Sequence, residues 1–342
     1  MMLSRRLLAA GLLLALGSLA AATFVYGEAR YAPVAAHIAV STEPISSFDN
    51  RDPSRTRFGT LEFRGGLVLS SDNAAFGGLS GLVMAADGQR FVTVSDRGSW
   101  FRGRLIYRDG KLAGIADAEV APILGGDGKP LAAKGWFDAE ALTRSGGTMF
   151  VGFERVQRIA KFDYGRDGLA ARGEPIPVPH DFDTLSNNRS LECLAAPAKP
   201  SPLAGSLLVI TERSLDAAGN FRSFVLDAAN ARRFTVKRIG DFDASDCALL
   251  GDGHLLLLER SYSVVKGVAM RIRKLSLDDI KPGAVVDGPV LIEADLGYQI
   301  DNMEGIGVYR NAAGETIVTM ISDDNFSVLQ RTLLLQFALV GE

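Results

Sequence analysis

Asp138-Ala139-Glu140-Ala141-Leu142 is followed, after a short polar gap, by Met149-Phe150-Val151-Gly152-Phe153-Glu154-Arg155. An acid stands before a small residue and a leucine, and an apolar run then ends in Glu-Arg. The phrase recurs. Ser190-Leu191-Glu192-Cys193-Leu194 leads to Leu208-Val209-Ile210-Thr211-Glu212-Arg213, and Asp246-Cys247-Ala248-Leu249 leads to Leu256-Leu257-Leu258-Glu259-Arg260. Asn302-Met303-Glu304-Gly305-Ile306 leads to Met320-Ile321-Ser322-Asp323. An earlier copy pairs Leu79-Ser80-Gly81-Leu82 with Val94-Ser95-Asp96-Arg97, Ser80 standing where the others carry an acid. The anchors at 80, 140, 192, 246 and 304 lie 60, 52, 54 and 58 residues apart. Five diverged copies of one unit make a repeat protein.

Each copy reads as short β-rich runs separated by turn signals such as Ala86-Asp87-Gly88, Ser145-Gly146-Gly147 and Gly251-Asp252-Gly253. The first copy predicts strands at 81–85, 90–95, 104–108 and 119–124, and the second at 141–143, 149–153, 158–163 and 174–178. Four short antiparallel strands per repeat make the blade of an all-β propeller. The last copy has only three strands, ending in Thr332–Leu339, so the spare strand near Leu61–Ser70 is expected to complete it and close the ring. Five blades are predicted; the residues before Gly77 leave room for part of a sixth.

Apolar residues at 47% and charged residues at 23% are ordinary for a globular chain. With 37 basic and 40 acidic residues, net charge is −3, and no basic run exists to track a nucleic-acid backbone. Two cysteines and three histidines offer no zinc spacing. Met1–Arg6 is basic and Leu7–Ala22 apolar, with small residues at 20–22. Residues 1–26 therefore read as an export signal, or as an uncleaved anchor, since apolar character runs on through Phe24-Val25-Tyr26. Either way the body is expected outside the cytoplasm, periplasmic or secreted. A Pro-containing linker is predicted over 27–58, and the propeller over 59–342.

The chemistry lies in carboxylates and arginines. Glu140, Glu192, Asp246 and Glu304 open the innermost strands, and Asp96, Glu154, Glu212, Glu259 and Asp323 close the next ones. Both sets should fall on one rim of the central channel. Crowded carboxylates repel unless cations intervene, and hard oxygen donors suit Ca²⁺ or Mg²⁺. The first set is thus expected to act as catalytic bases or ligands and the second to hold metal. Arg97, Arg155, Arg213 and Arg260 follow the second acids and can clamp an anionic substrate. The competing reading is structural: each blade repeats one hydrogen bond, and each arginine pairs with its neighbouring acid.

Other signals are weaker. Gly78-Leu79-Ser80-Gly81 fails as a nucleophile elbow, because Leu82 stands where the second glycine is needed. His180, in a polar loop, has no defined partner. Cys193 and Cys247 occupy small-residue sites, which suggests packing; a disulfide would need Cα atoms within about 7 Å.

The repeated phrases resemble the phytase-like family with esterase-like activity of phytase, in the Gly78–Leu82, Asp138–Leu142, Glu192-Cys193-Leu194 and Asn302–Ile306 segments and in their Asp-Arg, Glu-Arg and Asp-Asp partners. The resemblance spans about residues 60 to 340. It implies an exported β-propeller that hydrolyses phosphate or carboxylic esters, with a small anionic ester as substrate and carboxylate-bound calcium. A lactonase or carboxylesterase using metal-activated water shares this site logic, and a non-catalytic ligand-binding propeller is the alternative from another class.

Overall fold

The computed structural model describes residues 34–341 apart from 188, 228 and 229. The expected export signal or anchor at 1–26 lies outside the described residues. Strands dominate, and they form five blades around one axis. Blade 1 runs outward as Leu79–Met84, Arg90–Ser95, Ser99–Arg108 and Lys111–Pro122. Blade 2 is Ala139–Ser145, Thr148–Phe153, Arg158–Phe162 and Arg172–Pro175. Blade 3 is Leu191–Ala195, Leu207–Leu215, Phe221–Leu226 and Ala231–Val236. Blade 4 is Asp243–Leu249, His254–Ser263, Gly267–Ser276 and Val290–Ala294. In blade 5, Asn302–Arg310, Thr316–Asp323 and Thr332–Leu339 are completed by the N-terminal strand Leu61–Ser70. Leu339 pairs with Leu61 and Thr332 with Leu69, so the ring closes as expected and holds five blades.

Local chemistry sets the turns. At Asp87-Gly88 the Asp87 carboxylate accepts the backbone N–H groups of Gln89 and Arg90 at 2.9 and 3.0 Å, while Gly88 supplies φ +69°. Period-2 alternation then divides each blade's apolar residues between two seams. Leu256 and Leu258 join the core between blades 4 and 5, whereas Leu255 and Leu257 join the core between blades 3 and 4. Five buried clusters result, one for each seam.

Two expectations are corrected. Residues 36–58 are not a free linker. Ala36–His37 pairs with the outer strand of blade 1, and Ser41–Ile45 pairs with Leu61–Ser70 as the outermost strand of blade 5. Pro44 is tolerated because an edge strand does not need every N–H, and Phe48 and Phe58 pack edge-to-face at 5.0 Å against the core of blade 5. Exposed blade edges are thereby covered.

The second correction concerns Cys193 and Cys247, which form a disulfide across the blade 3–blade 4 seam, with Cα atoms 5.1 Å apart. Small size was needed, but so was sulfur. The bond spans 54 residues, and cross-links of that reach restrict the unfolded chain by about 2–4 kcal/mol. Replacing both cysteines by alanine is expected to lower the urea midpoint accordingly; an unchanged midpoint would count against this role.

Candidate metal and anion site

The repeated acid has a specific backbone origin. In blades 2, 3 and 5 the pairing of the first two strands slips by one residue, between Ala139 and Ala141, Leu191 and Cys193, and Met303 and Gly305. Glu140, Glu192 and Glu304 are the extra residues of these three β-bulges. A bulge re-aims its extra side chain out of the ladder, here into a cavity of about 870 Å³ at one end of the channel.

Blades 1 and 4 depart from the pattern. In blade 1 the slip falls between Ser80 and Leu82, so Gly81 occupies the bulge and Ser80 is not the acid's counterpart. A side chain on Gly81 would stand on Leu142 and the Glu140 carbonyl, and its φ is +59°. In blade 4 the slip falls between Ala244 and Asp246, so Ser245 is the bulge residue and donates to the Met303 carbonyl at 2.9 Å.

Asp246, expected with the other acids, is therefore one residue out of phase. Its carboxylate turns across the channel and accepts the Ile306 N–H at 2.7 Å and the Leu82 N–H at 3.3 Å. Innermost strands have no partner on the channel side, and Asp246 satisfies donors of blades 5 and 1 that would otherwise be unpaired. Glu259 is likewise corrected. It is fully buried away from the cavity between Arg271 (2.8 Å) and Arg273 (2.7 Å).

The other seven predicted acids line the cavity: Asp96, Glu140, Glu154, Glu192, Glu212, Glu304 and Asp323. Asp138 and Asp301 join them, restoring the count to nine with different members. Asp138 lies at φ +61°, a left-handed conformation that no sequence signal announced. Asn302, also missed, donates to Glu304 at 2.9 Å and to Asp323 at 3.4 Å. Its visible signal was its place beside Glu304 in the repeat.

Of the four predicted arginines, only Arg260 lines the cavity. It occupies the ladder position that carries Glu154, Glu212 and Asp323 in blades 2, 3 and 5, and contacts Glu304 at 2.6 Å and Glu212 at 3.1 Å. Arg97 stacks on Phe326 and donates to the Ala74 carbonyl. Arg155 pairs with Asp138 and Arg213 with Asp243, each at 3.5 Å and partly exposed. An exposed arginine, Arg189, lines the cavity where Arg155 and Arg213 do not. His180 is 94% exposed and bonds Asp183, clear of the site.

Glu154, Glu192 and Glu212 each bring an oxygen within 4.8 Å of the others. Burial raises all three carboxyls, and Glu154 is pushed up to about 8 with Glu212 adding to the effect. Burial also lifts Glu304 to about 8 against the pull of Arg260, and Asp323 to about 7 against the Asn325 N–H. Burial opposes the charge on Arg260, but Glu304 and Glu212 outweigh it and hold the guanidinium cationic. Glu192 Oε2, Glu304 Oε2 and Asp96 Oδ1 are buried and accept no hydrogen bond. A donor set of hard, converging and partly unsatisfied oxygens fits a divalent cation such as Ca²⁺.

These shifts have a consequence for stability. The folded cavity retains protons that an unfolded chain has released at neutral pH, so unfolding is favoured as pH rises. In the chelated protein the contribution of these cavity acids to stability should be fully present below the ordinary carboxyl range and be lost as pH rises to about 8, where Asp323, Glu154 and Glu304 ionise. Guanidinium midpoints at pH 6 and pH 9 test this. The pH 9 value should be lower in chelator and recover with Ca²⁺; a flat profile in chelator would remove the charge-crowding argument.

A model of the family described as phytase-like, esterase-like activity of phytase, matches residues 74–326. No curated protein matches the chain. Similar solved structures include a Cellvibrio cellulosa α-L-arabinanase complexed with arabinohexaose, 12% identical, covering 75% of this chain and 91% of that one at a TM-score of 0.41. Another belongs to an S. cerevisiae Dbp5 assembly with Nup159, Gle1, IP6 and ADP, 10% identical, covering 84% and 97% at 0.38.

Proposed function

We propose a function on the premise that this chain belongs to the phytase-like family, esterase-like activity of phytase. The protein is an exported hydrolase that cleaves a phosphate ester in the acid-lined cavity, with a divalent cation, Ca²⁺ first, held by carboxylates. The observation that carries this reading is the Glu154–Glu192–Glu212 triad with its unsatisfied Glu192 oxygen, beside the partly buried guanidinium of Arg260. Export is supported by the basic-apolar N-terminus and by a disulfide suited to an oxidising compartment.

Glu154, Glu192 and Glu212 would hold the cation, which supplies charge neutralisation and acidifies water when bound. The chain's own residues account for the rest. Arg260 is fixed by Glu212 and Glu304 on one side and offers its remaining donors to phosphate oxygens, for which a planar guanidinium is well matched. Arg189 meets the anion at the mouth. Asp323, near neutrality at about 7 and oriented by the Asn325 N–H at 2.6 Å, exchanges a proton with water or the leaving oxygen.

The test is hydrolysis of phytate, a simple aryl phosphate and a simple aryl carboxylic ester by the purified protein, with Ca²⁺ and with chelator. Calcium-dependent phosphate release is expected. Cleavage of the carboxylic ester alone would reassign the substrate, and silence on all three by folded, calcium-loaded protein would leave a binding propeller.

A further inference from the structure

Nine large apolar side chains are exposed among the described residues; three of them line the acidic cavity and three more stand next to these in sequence. Tyr262 and Leu296 line it at 69% and 57% exposure, and Leu329 at 90%. Val264 and Val265 cap the hairpin between Tyr262 and Gly267, and Val328 adjoins Leu329. Hairpin tips ordinarily carry polar residues; two adjacent valines at 90% and 94% exposure break that rule. A concentrated apolar patch at a cleft marks an interaction site.

The patch is built into the fold. Leu296 packs where a side chain on Gly267 would stand. The 324–331 loop is pinned by Asp324, which accepts the Gly78 and Phe326 N–H groups at 3.0 and 2.9 Å and the Thr332 hydroxyl at 2.9 Å. Arg331 anchors its far end on Gln299 and the Ile300 carbonyl. The patch is also one-sided. Its residues come from blades 4 and 5 and their connections, which also carry Arg260, Glu304 and Asp323, whereas the carboxylate triad, Asp138 and Arg189 come from blades 2 and 3 and their connections, which carry none of it.

We infer that the cavity takes an amphiphilic ester, its polar head over the carboxylates and Arg260 and its apolar chain laid across the collar of Tyr262, Val265, Leu296 and Leu329. The inference rests on the hydrolase reading for the word ester, but the collar's geometry stands without it. One cavity with a charged floor and a single apolar wall sorts a ligand by its two ends. A uniformly charged ligand would leave that wall facing water.

Two double variants, Val264→Ser/Val265→Ser and Val328→Ser/Leu329→Ser, remove only exposed side chains. Alkyl phosphates of increasing chain length, kept below micelle formation, are the substrates. In the unaltered protein kcat/KM should rise about two- to fourfold per methylene, as partial to full burial of each group predicts. Both variants should flatten that slope, and a slope equal to the parent's in both would overturn the collar.

Calorimetric binding of non-hydrolysable alkylphosphonates by calcium-loaded protein gives a readout free of turnover. Chain-length-dependent binding without hydrolysis of any ester would overturn the hydrolase and leave the collar supported. Hydrolysis with no chain-length dependence would overturn the collar and leave the hydrolase. Co-sedimentation with phosphatidylcholine vesicles, lost in the variants and joined to a flat chain-length series, would make the collar a membrane-docking patch and overturn the inference.

Discussion

Glu192→Gln is expected to lower divalent-cation affinity by about 100-fold or more, and metal-dependent turnover with it. Loss of an outer-shell partner alone costs about 10–100-fold, and Glu192 is a member of the triad with an unsatisfied buried oxygen. The same change should leave the metal-free fold almost untouched. Burial, with Glu154 and Glu140 adding to it, raises the Glu192 pKa well above the ordinary carboxyl range, so the metal-free fold does not depend on a charge there. A neutral amide of the same shape replaces it, so the guanidinium midpoint in chelator should move by less than about 1 kcal/mol equivalent. Calcium titration and unfolding of one sample check both halves. Wild-type affinity would remove Glu192 from the site, and a large stability loss would make it structural.

Glu259→Gln should do the reverse. Arg271 and Arg273 are buried at 3% and 0% exposure, and Glu259, itself at 0%, is the carboxylate they share. Asp287 remains for Arg273 at 3.0 Å but is partly exposed. Removing the shared charge leaves two guanidinium groups in the protein interior, a break that typically costs about 3–5 kcal/mol. Chemical denaturation reads that loss. Calcium affinity of the protein that remains folded should match wild type, because Glu259 does not line the cavity. Reduced affinity with unchanged stability would return Glu259 to the metal-binding set.

This contrast also marks how far the sequence could be read. Blade number and ring closure were legible because they rest on spacing and alternation, which survive divergence. Seven of the nine acids assigned to the rim do line it. Asp246 and Glu259 escaped because repeat position was counted along the chain, whereas the cavity is set by where each ladder slips. In blade 4 the slip lies one residue earlier than the acid, and a single residue reverses which side of a strand faces the site. Asp138 opens the repeat's phrase with no sign of its role, since its left-handed backbone, not its neighbours, turns it inward. The arginines show a different limit. Four look equivalent in sequence, yet only Arg260 takes the ladder place that acids hold elsewhere. The disulfide was an open alternative, since two cysteines in matching repeats do not reveal whether their seam is shared.

The closing strand bears on the timing of synthesis. Leu61–Ser70 leaves the ribosome long before Thr332–Leu339, yet each is the other's ladder partner in blade 5. Until blade 5 emerges, Leu61–Ser70 has an open edge and the cavity lacks its Glu304–Asp323 side. Blades 1 to 4 can begin to form in order, but the molecule becomes a ring in one late event. A chain that stops short of Thr332–Leu339 therefore has neither a closed ring of blades nor a finished site, and competence arrives only once that strand is made.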